Sequence, residues 1–554
     1  KEQLPVRDWK YDAFVWLMSV TIDLFYREVS YKGICHIPKT RPTIFIAAPH
    51  HNQFVDGLIL QRAVRLEGGR RISLLVSKNS LESRAGWGVR QTGAIPVARP
   101  QDLAKTAKGT IYLPDPINEP TTIRGLGTDF RAEAEIGGAI FLPSGASAEI
   151  DKIMGPEEIR IKRPLNRTSL SQPMSKFRLS PYSDRNQLYQ AVFDRLKNGG
   201  CIGIFPEGGS HDRTEMLPLK AGVAIMALDT LSQAPHCGLT IVPVGMNYFR
   251  AHKFRSRAVV EFGAPFEVPT ELVTMYQSNG DSRKEAISRV LTSCKMALDN
   301  VIVTSPSRET LGCVRTASRL LRTGKERLPL SQVVELIRKV SRAFSKSRDD
   351  PNVINLLVGI RDYNKQLRSL RIKDHHVESA SWRPLPEIAW QLMIRLVAIS
   401  ILFAIALPGL ILFTPVLIMA KYISIQRAKA ALARSSVKLT GRDVMATWKG
   451  IVALGLSPIC YHLYCCVLAY NRAWGYVHVP DSLPWYAIYI MGWIIFPAIS
   501  LVALWLGETG MDIAKSLRPL ILCLSPPLNQ RVQRLRLRRI ELALEIERAI
   551  LKMG

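Results

Sequence analysis

The sequence predicts an α/β domain with an inserted β-rich subdomain, followed by a charged helical region and C-terminal transmembrane helices. Three observations carry this. Short buried-strand runs alternate with helical runs from residue 42 to 262, the pattern of a layered α/β domain. Residues 107–180 break that rhythm with short β-like pieces among many Gly and Pro. Long apolar runs sit almost entirely after residue 387. A chain of 554 residues is too long for one ordinary domain and predicts two or three units.

Residues 1–40 form the lead-in. The stretch from Tyr11 to Val29 is apolar and aromatic, but Asp12, Asp23, Arg27 and Glu28 make it too polar for a comfortable span. An interfacial helix beside the membrane is expected, with a core helix as the alternative. In the α/β domain, residues 41–280, strands are predicted at 43–48, 72–76, 94–97, 201–205, 240–244 and 258–262. Helices are predicted at 54–66, 186–197 and 219–227, the second ending at the C-cap signal Gly199-Gly200. Residues 281–387 turn helical and charged, and 322–348 are polar enough to be partly mobile.

The membrane region covers 388–510. Residues 388–418 carry only Arg395 as a charge and contain Pro408 and Pro415. Residues 451–470 and 485–506 each match the span of about 20 residues that crosses a bilayer. Lys421, Arg427, Lys429, Arg434, Lys438, Arg442 and Lys449 lie between the first two runs, against Arg472 alone between the last two. The positive-inside rule places 421–449 in the cytosol and 472–484 in the lumen. A cytosolic α/β domain then requires 388–420 to enter and leave on one side, as a re-entrant hairpin bent near Pro408-Gly409; a spanning run is the alternative. The tail, 511–554, is an amphipathic helix for the membrane, the protein itself or a partner chain, and with the membrane region it is the expected surface for oligomers.

The net charge of +28, from 74 Lys+Arg against 46 Asp+Glu, favours anionic partners such as membrane surfaces, phosphorylated substrates and CoA. No zinc-finger spacing or nucleic-acid signature is present, so nucleic acid is set aside. Nine Cys without repeated spacing do not form a disulfide framework, which places the soluble part in a reducing compartment. No ligand cluster for a metal is legible, and no cofactor is expected.

Four blocks carry chemistry. In Pro49-His50-His51-Asn52-Gln53-Phe54-Val55-Asp56, four residues separate His51 from Asp56. An imidazole titrating near neutrality can take a hydroxyl proton, and a carboxylate on its other nitrogen holds the tautomer. His50 is set aside, because Val55 stands at the equivalent spacing. The second block ends an apolar strand with Arg99, a planar fork for phosphate. The third, Phe205-Pro206-Glu207-Gly208-Gly209-Ser210-His211, runs a strand into a Gly pair whose N–H groups can face an anion. Glu207 there could receive an acceptor hydroxyl. The fourth, Ile241-Val242-Pro243-Val244-Gly245, reads as buried strand.

In this order, over roughly residues 40–265, the blocks resemble the glycerophospholipid acyltransferase superfamily. Within it the chain resembles the fungal-type membrane glycerol-3-phosphate/dihydroxyacetone-phosphate acyltransferases, through GTIYLPDPINEPTTIRGLGT, FPEGGSHDRTEMLPLKAG, GRDVMATWKG and the C-terminal spans. The resemblance implies His51 and Asp56 as catalytic dyad and Arg99 and Lys78 as basic groups for the acceptor phosphate. It implies Glu207, Gly208, Gly209 and Ser210 at the acceptor, and Pro243 on the acyl-CoA side. It further implies an endoplasmic-reticulum membrane protein with its catalytic domain in the cytosol. The expected reaction is acyl transfer from acyl-CoA, a co-substrate, to glycerol-3-phosphate or dihydroxyacetone phosphate. The rivals are a lysophosphatidate acyltransferase and a non-catalytic scaffold that binds lipid or CoA.

Overall fold

The computed structural model describes residues 8–82, 86–97, 103–115, 117–144, 146–165, 174–182, 186–278, 280–322, 328–378, 384–433, 438–474 and 484–553. The chain forms two compact units. One comprises Lys1–Arg213, Leu217–Ile302 and Ala428–Val444; the other comprises Thr214–Met216, Val303–Arg427 and Met445–Gly554.

Among the described residues, the first unit holds two seven-stranded sheets. Strands β1 (Tyr26–Lys32), β2 (Thr43–Ala48), β3 (Ile72–Ser77) and β4 (Ile95–Val97) precede the insertion. The insertion contributes β5 (Lys105–Thr106), β6 (Thr110–Tyr112), β7 (Thr122–Leu126), β8 (Ala139–Phe141), β9 (Ser147–Ile153), β10 (Glu158–Ile161) and β11 (Arg178–Ser180). Strands β12 (Cys201–Ile204), β13 (Thr240–Tyr248) and β14 (Ser256–Phe262) follow.

The main sheet runs β1-β14-β13-β2-β12-β3-β4. Strands β13, β2, β12, β3 and β4 are mutually parallel, so their C-terminal ends share one edge. All residues of β2 and β13 are buried, as continuous apolar strands covered on both faces must be. The insertion closes around its own core, with Ile111, Ile123, Phe130, Ile150 and Ile159 fully buried.

The helix expected from Tyr11 to Val29 begins earlier and ends earlier. The helix is Asp8–Phe25, and from Tyr26 the chain becomes β1, paired in parallel with β14. Tyr11, Val15, Ile22 and Phe25 pack inward, while Trp9, Trp16, Leu17, Val20 and Leu24 are exposed. The acidic residues that made the segment look polar have local partners: Asp12 pairs with Arg65 and Arg71, and Asp23 with Arg62. At Gly33, φ is +73° and an added Cβ would lie 2.1 Å from the Phe262 carbonyl oxygen, so the turn leaving β1 requires glycine.

The second unit is helical. Residues 322–348, expected to be partly mobile, contain the helix Leu330–Lys346, which buries Leu330, Val333, Val334, Ile337, Val340 and Phe344. The C-terminal helix Pro526–Met553 packs on the protein's own helix Pro351–Leu370: Gly359 lies close to Arg538 and Leu542. Its buried Arg539 lies 3.3 Å from Asp374, which also accepts a 2.6 Å hydrogen bond from Tyr363.

Among the described residues, three helices are long and apolar enough to cross a membrane: Leu385–Ala433, Arg442–Tyr470 and Trp485–Leu524. The hairpin expected near Pro408-Gly409 is absent. One helix of 49 residues runs through Pro408 and Pro415. Apolar helices tolerate internal Pro where neighbours satisfy the freed carbonyls, and Gly409 instead serves close packing. A Cβ there would lie 2.5 Å from the Ile499 carbonyl oxygen.

Phe130 anchors the insertion's core, and Phe130→Ala is expected to destabilise it by about 3–5 kcal/mol. Thermal unfolding of the variant would register the loss.

Candidate active site

The C-terminal edge of a parallel sheet is where α/β folds collect ligand-binding side chains. Strand β2 delivers His50 to that edge, β12 delivers Glu207 through Asp212, and β3 delivers Lys78. After β2 the chain turns through Asn52 (φ −142°, ψ 62°) and Gln53 (φ +23°) into the helix Gln53–Arg62. Asp56 sits near the start of that helix and is fully buried.

Its carboxylate faces back across the turn. Oδ2 lies 2.8 Å from His50 Nδ1 and accepts a 2.8 Å hydrogen bond from the Asn52 N–H. Oδ1 accepts a 2.5 Å bond from the Tyr248 hydroxyl. The residue paired with Asp56 is therefore His50, six positions before it, and not the expected His51. His51 instead directs Nε2 to the Arg213 carbonyl oxygen, 3.0 Å away, with its ring edge-on to His211 at 5.3 Å. Desolvation first, then His211, holds the His51 imidazole below its ordinary pKa, against weaker pulls from Asp56 and Glu207. That ring is kept neutral and tied to backbone.

His50 has the features of a proton acceptor. With Nδ1–H given to Asp56, Nε2 carries the free lone pair. The ring stacks on Phe205 at 4.2 Å and its side chain is 15% exposed, enough to meet a substrate.

Glu207 holds this histidine by its backbone. Oε2 accepts from His50 N–H at 2.6 Å, and Oε1 accepts from Leu217 N–H and from His211 Nε2, both at 2.9 Å. Burial pushes the Glu207 carboxyl up, but His211 and these amides outweigh it and hold it below its usual range. The carboxylate expected to meet an acceptor hydroxyl is thus a buried brace. His211 Nδ1 accepts from Arg213 N–H and His211 N–H donates to the His50 carbonyl, closing the two loops on each other.

Gly208 has φ +76°, a left-handed turn conformation suited to glycine, and Gly209 has open space over it. Ser210 donates to Asp443 at 2.6 Å, and Lys438 contacts both Ser210 and Asp443. Asp212 accepts from the N–H groups of Leu439 and Thr440 at 2.7 and 2.9 Å, and from the Thr440 hydroxyl. Burial opposes ionisation of Asp212, but these donors prevail and hold its carboxyl well below the usual range. Residues 438–443, expected only as a basic inter-helix loop, are therefore fastened to the third block.

Lys78 opens a short helix after β3, exposed, 3.8 Å from Glu82. Pro243 lies in mid-strand, paired with Ile46 and away from the C-terminal edge. Arg99 lies outside the described residues. Among the described residues there is no group of three or more His, Cys, Asp or Glu able to hold a metal.

This site lies in a chain with clear relatives. A glycerol-3-phosphate acyltransferase 2 C-terminal domain model matches residues 313–554, and an acyltransferase model matches 159–247. Glycerol-3-phosphate O-acyltransferase 1 of Saccharomyces cerevisiae is 39% identical over 93% of this chain and 68% of its own length. The chain belongs to the glycerol-3-phosphate O-acyltransferase family. Glycerol-3-phosphate O-acyltransferase 2 of the same yeast is 35% identical, over 98% of this chain and 76% of its own. An uncharacterised acyltransferase of Schizosaccharomyces pombe is 43% identical, over 98% and 81%. A solved 1-acyl-sn-glycerophosphate acyltransferase, PlsC from Thermotoga maritima, aligns with 12% identity and a TM-score of 0.27 over 52% of this chain and 83% of that one, too distant to argue from. The family assignment makes this chain an acyltransferase of lipid synthesis.

Because its carboxyl is held low, Asp212 contributes fully above the ordinary carboxylate pKa and loses that contribution only as pH falls through its lowered value. Asp212→Asn removes the charge at every pH. Faster hydrogen exchange at the Leu439 and Thr440 amides at pH 7 is the expected result.

Proposed function

We propose that this protein transfers an acyl group from acyl-CoA to the primary hydroxyl of glycerol-3-phosphate, giving lysophosphatidic acid, with dihydroxyacetone phosphate as a second acceptor. The observation that carries the reading is the His50–Asp56 pair at the C-terminal edge of the sheet. The names of the two yeast relatives support the acceptor.

In the proposed reaction Asp56 holds the Nδ1–H tautomer of His50. Nε2 takes the hydroxyl proton as the acceptor oxygen attacks the thioester carbon. The C–S bond breaks, and the departing CoA thiolate receives that proton from His50. Arg99 and Lys78 are proposed to hold the acceptor phosphate, Arg99 on the resemblance and Lys78 on its place at the same sheet edge. The Gly209 N–H, beside open space, is proposed for the oxyanion; the Gly208 N–H is already given to the Phe205 carbonyl at 3.0 Å. The three apolar helices and the exposed Trp9 and Trp16 support action at a bilayer. The endoplasmic reticulum is the proposed location, with the catalytic unit in the cytosol; the hairpin no longer supports that side, but the bonding of residues 439–443, in the basic segment, to the third block does.

General base catalysis contributes typically about 10²–10⁴-fold, so His50→Ala should lose turnover on that order. His51→Ala should keep most of it. Purified enzyme assayed with glycerol-3-phosphate, dihydroxyacetone phosphate and lysophosphatidate checks the acceptor; activity with lysophosphatidate alone contradicts the reading, as does full activity of His50→Ala.

A further inference from the structure

Asp56 has a donor that no part of the sequence pattern points to. Tyr248, the last residue of β13, is 8% exposed and gives its hydroxyl proton to Asp56 Oδ1 at 2.5 Å, on the oxygen opposite the one facing His50. Its ring packs against Tyr26 of β1, centroids 5.9 Å apart, and the Tyr26 hydroxyl accepts a 3.1 Å bond from the Asn52 side chain. Burial first, then the Asp56 charge, pushes the Tyr248 phenol well above its ordinary pKa, so it remains a donor throughout the working pH range.

We propose that Tyr248 is a positioning residue for acyl transfer, fixing the Asp56 carboxylate and moderating its pull on His50. The inference rests on His50 being the base. A carboxylate held from the backbone of Asn52 on one oxygen and from a phenol on the other has one orientation, and that orientation aims Oδ2 at His50. The phenol also shares the negative charge. Without it the carboxylate would stabilise the imidazolium more strongly, and the base would lose its lone pair at a higher pH.

Among the described residues, four other titratable groups interact with this cluster. Tyr26 comes from β1 and His51 from the loop after β2. Glu207 and His211 come from the loop after β12. Glu207 and His211 bind each other and neighbouring backbone, His51 binds Arg213, and Tyr26 binds Asn52, so none replaces Tyr248 on Oδ1.

The test uses the full-length enzyme in lipid nanodiscs and the pH profile of kcat/KM for glycerol-3-phosphate. Tyr248→Phe should lower kcat about tenfold, leave KM near the parent value and move the acid limb upward by about half a pH unit or more. Tyr26→Phe removes a hydroxyl from the same buried pair without touching Asp56, and should keep the parent limb. Replacement of Tyr248 by 3-fluorotyrosine keeps the shape and strengthens the donor, so the limb should move the other way, a readout that survives if the Phe variant does not fold. An unmoved limb in both Tyr248 variants overturns the inference, as does an equal shift in Tyr26→Phe. An active His50→Ala enzyme would instead defeat the base assignment, whereas an inactive one beside an unmoved Tyr248→Phe limb defeats this inference alone.

Discussion

The candidate site depends on one fully buried carboxylate. Asp56 is sealed from bulk solvent, so its charge is met by protein donors, and three come from three places in the chain. The Asn52 N–H comes from the turn, the Tyr248 phenol from the end of β13, and Nδ1–H from His50 at the end of β2. The first two fix the carboxylate. The third transmits that fixation to the imidazole whose other nitrogen is the proposed base.

Around this centre the loop after β12 is scaffolding. Glu207, His211 and Asp212 use their side chains on protein groups, and Ser210 bonds Asp443. The Glu207–His211 contact is fully buried and so costly to break, because either side chain would be left without its partner. The loop is thereby held against His50 on one side and residues 438–443 on the other. Open space lies over Gly209, the part of this loop proposed to face a ligand.

Much of this was legible in the sequence. Strands β2, β3, β4 and β12 fall within a residue or two of the apolar runs that predict them, and the Gly- and Pro-rich insertion forms its own sheet. The misreadings share a cause: each depends on how the chain bends. Counting four residues from His51 to Asp56 assumes that neighbours on a template are neighbours in space. The turn at Asn52 and Gln53 swings the carboxylate back to His50 instead. Pro408 predicts a bend only where no neighbouring helix compensates, and here the helix continues. Tyr26 and Tyr248 stand outside every motif; they meet the site only because β1 and β13 flank β14 in the same sheet. The burial of the C-terminal helix on Pro351–Leu370 was one of three readings open to an amphipathic pattern, and only packing selects among them.

The most direct measurement is a structure of the enzyme with glycerol-3-phosphate and a non-transferable acyl-CoA analogue. The acceptor's primary hydroxyl should lie within about 2.6–3.2 Å of His50 Nε2, with Asp56 still bonded to Nδ1. A hydroxyl held instead at His51, or a His50 ring turned away from both Asp56 and the acceptor, would contradict the account.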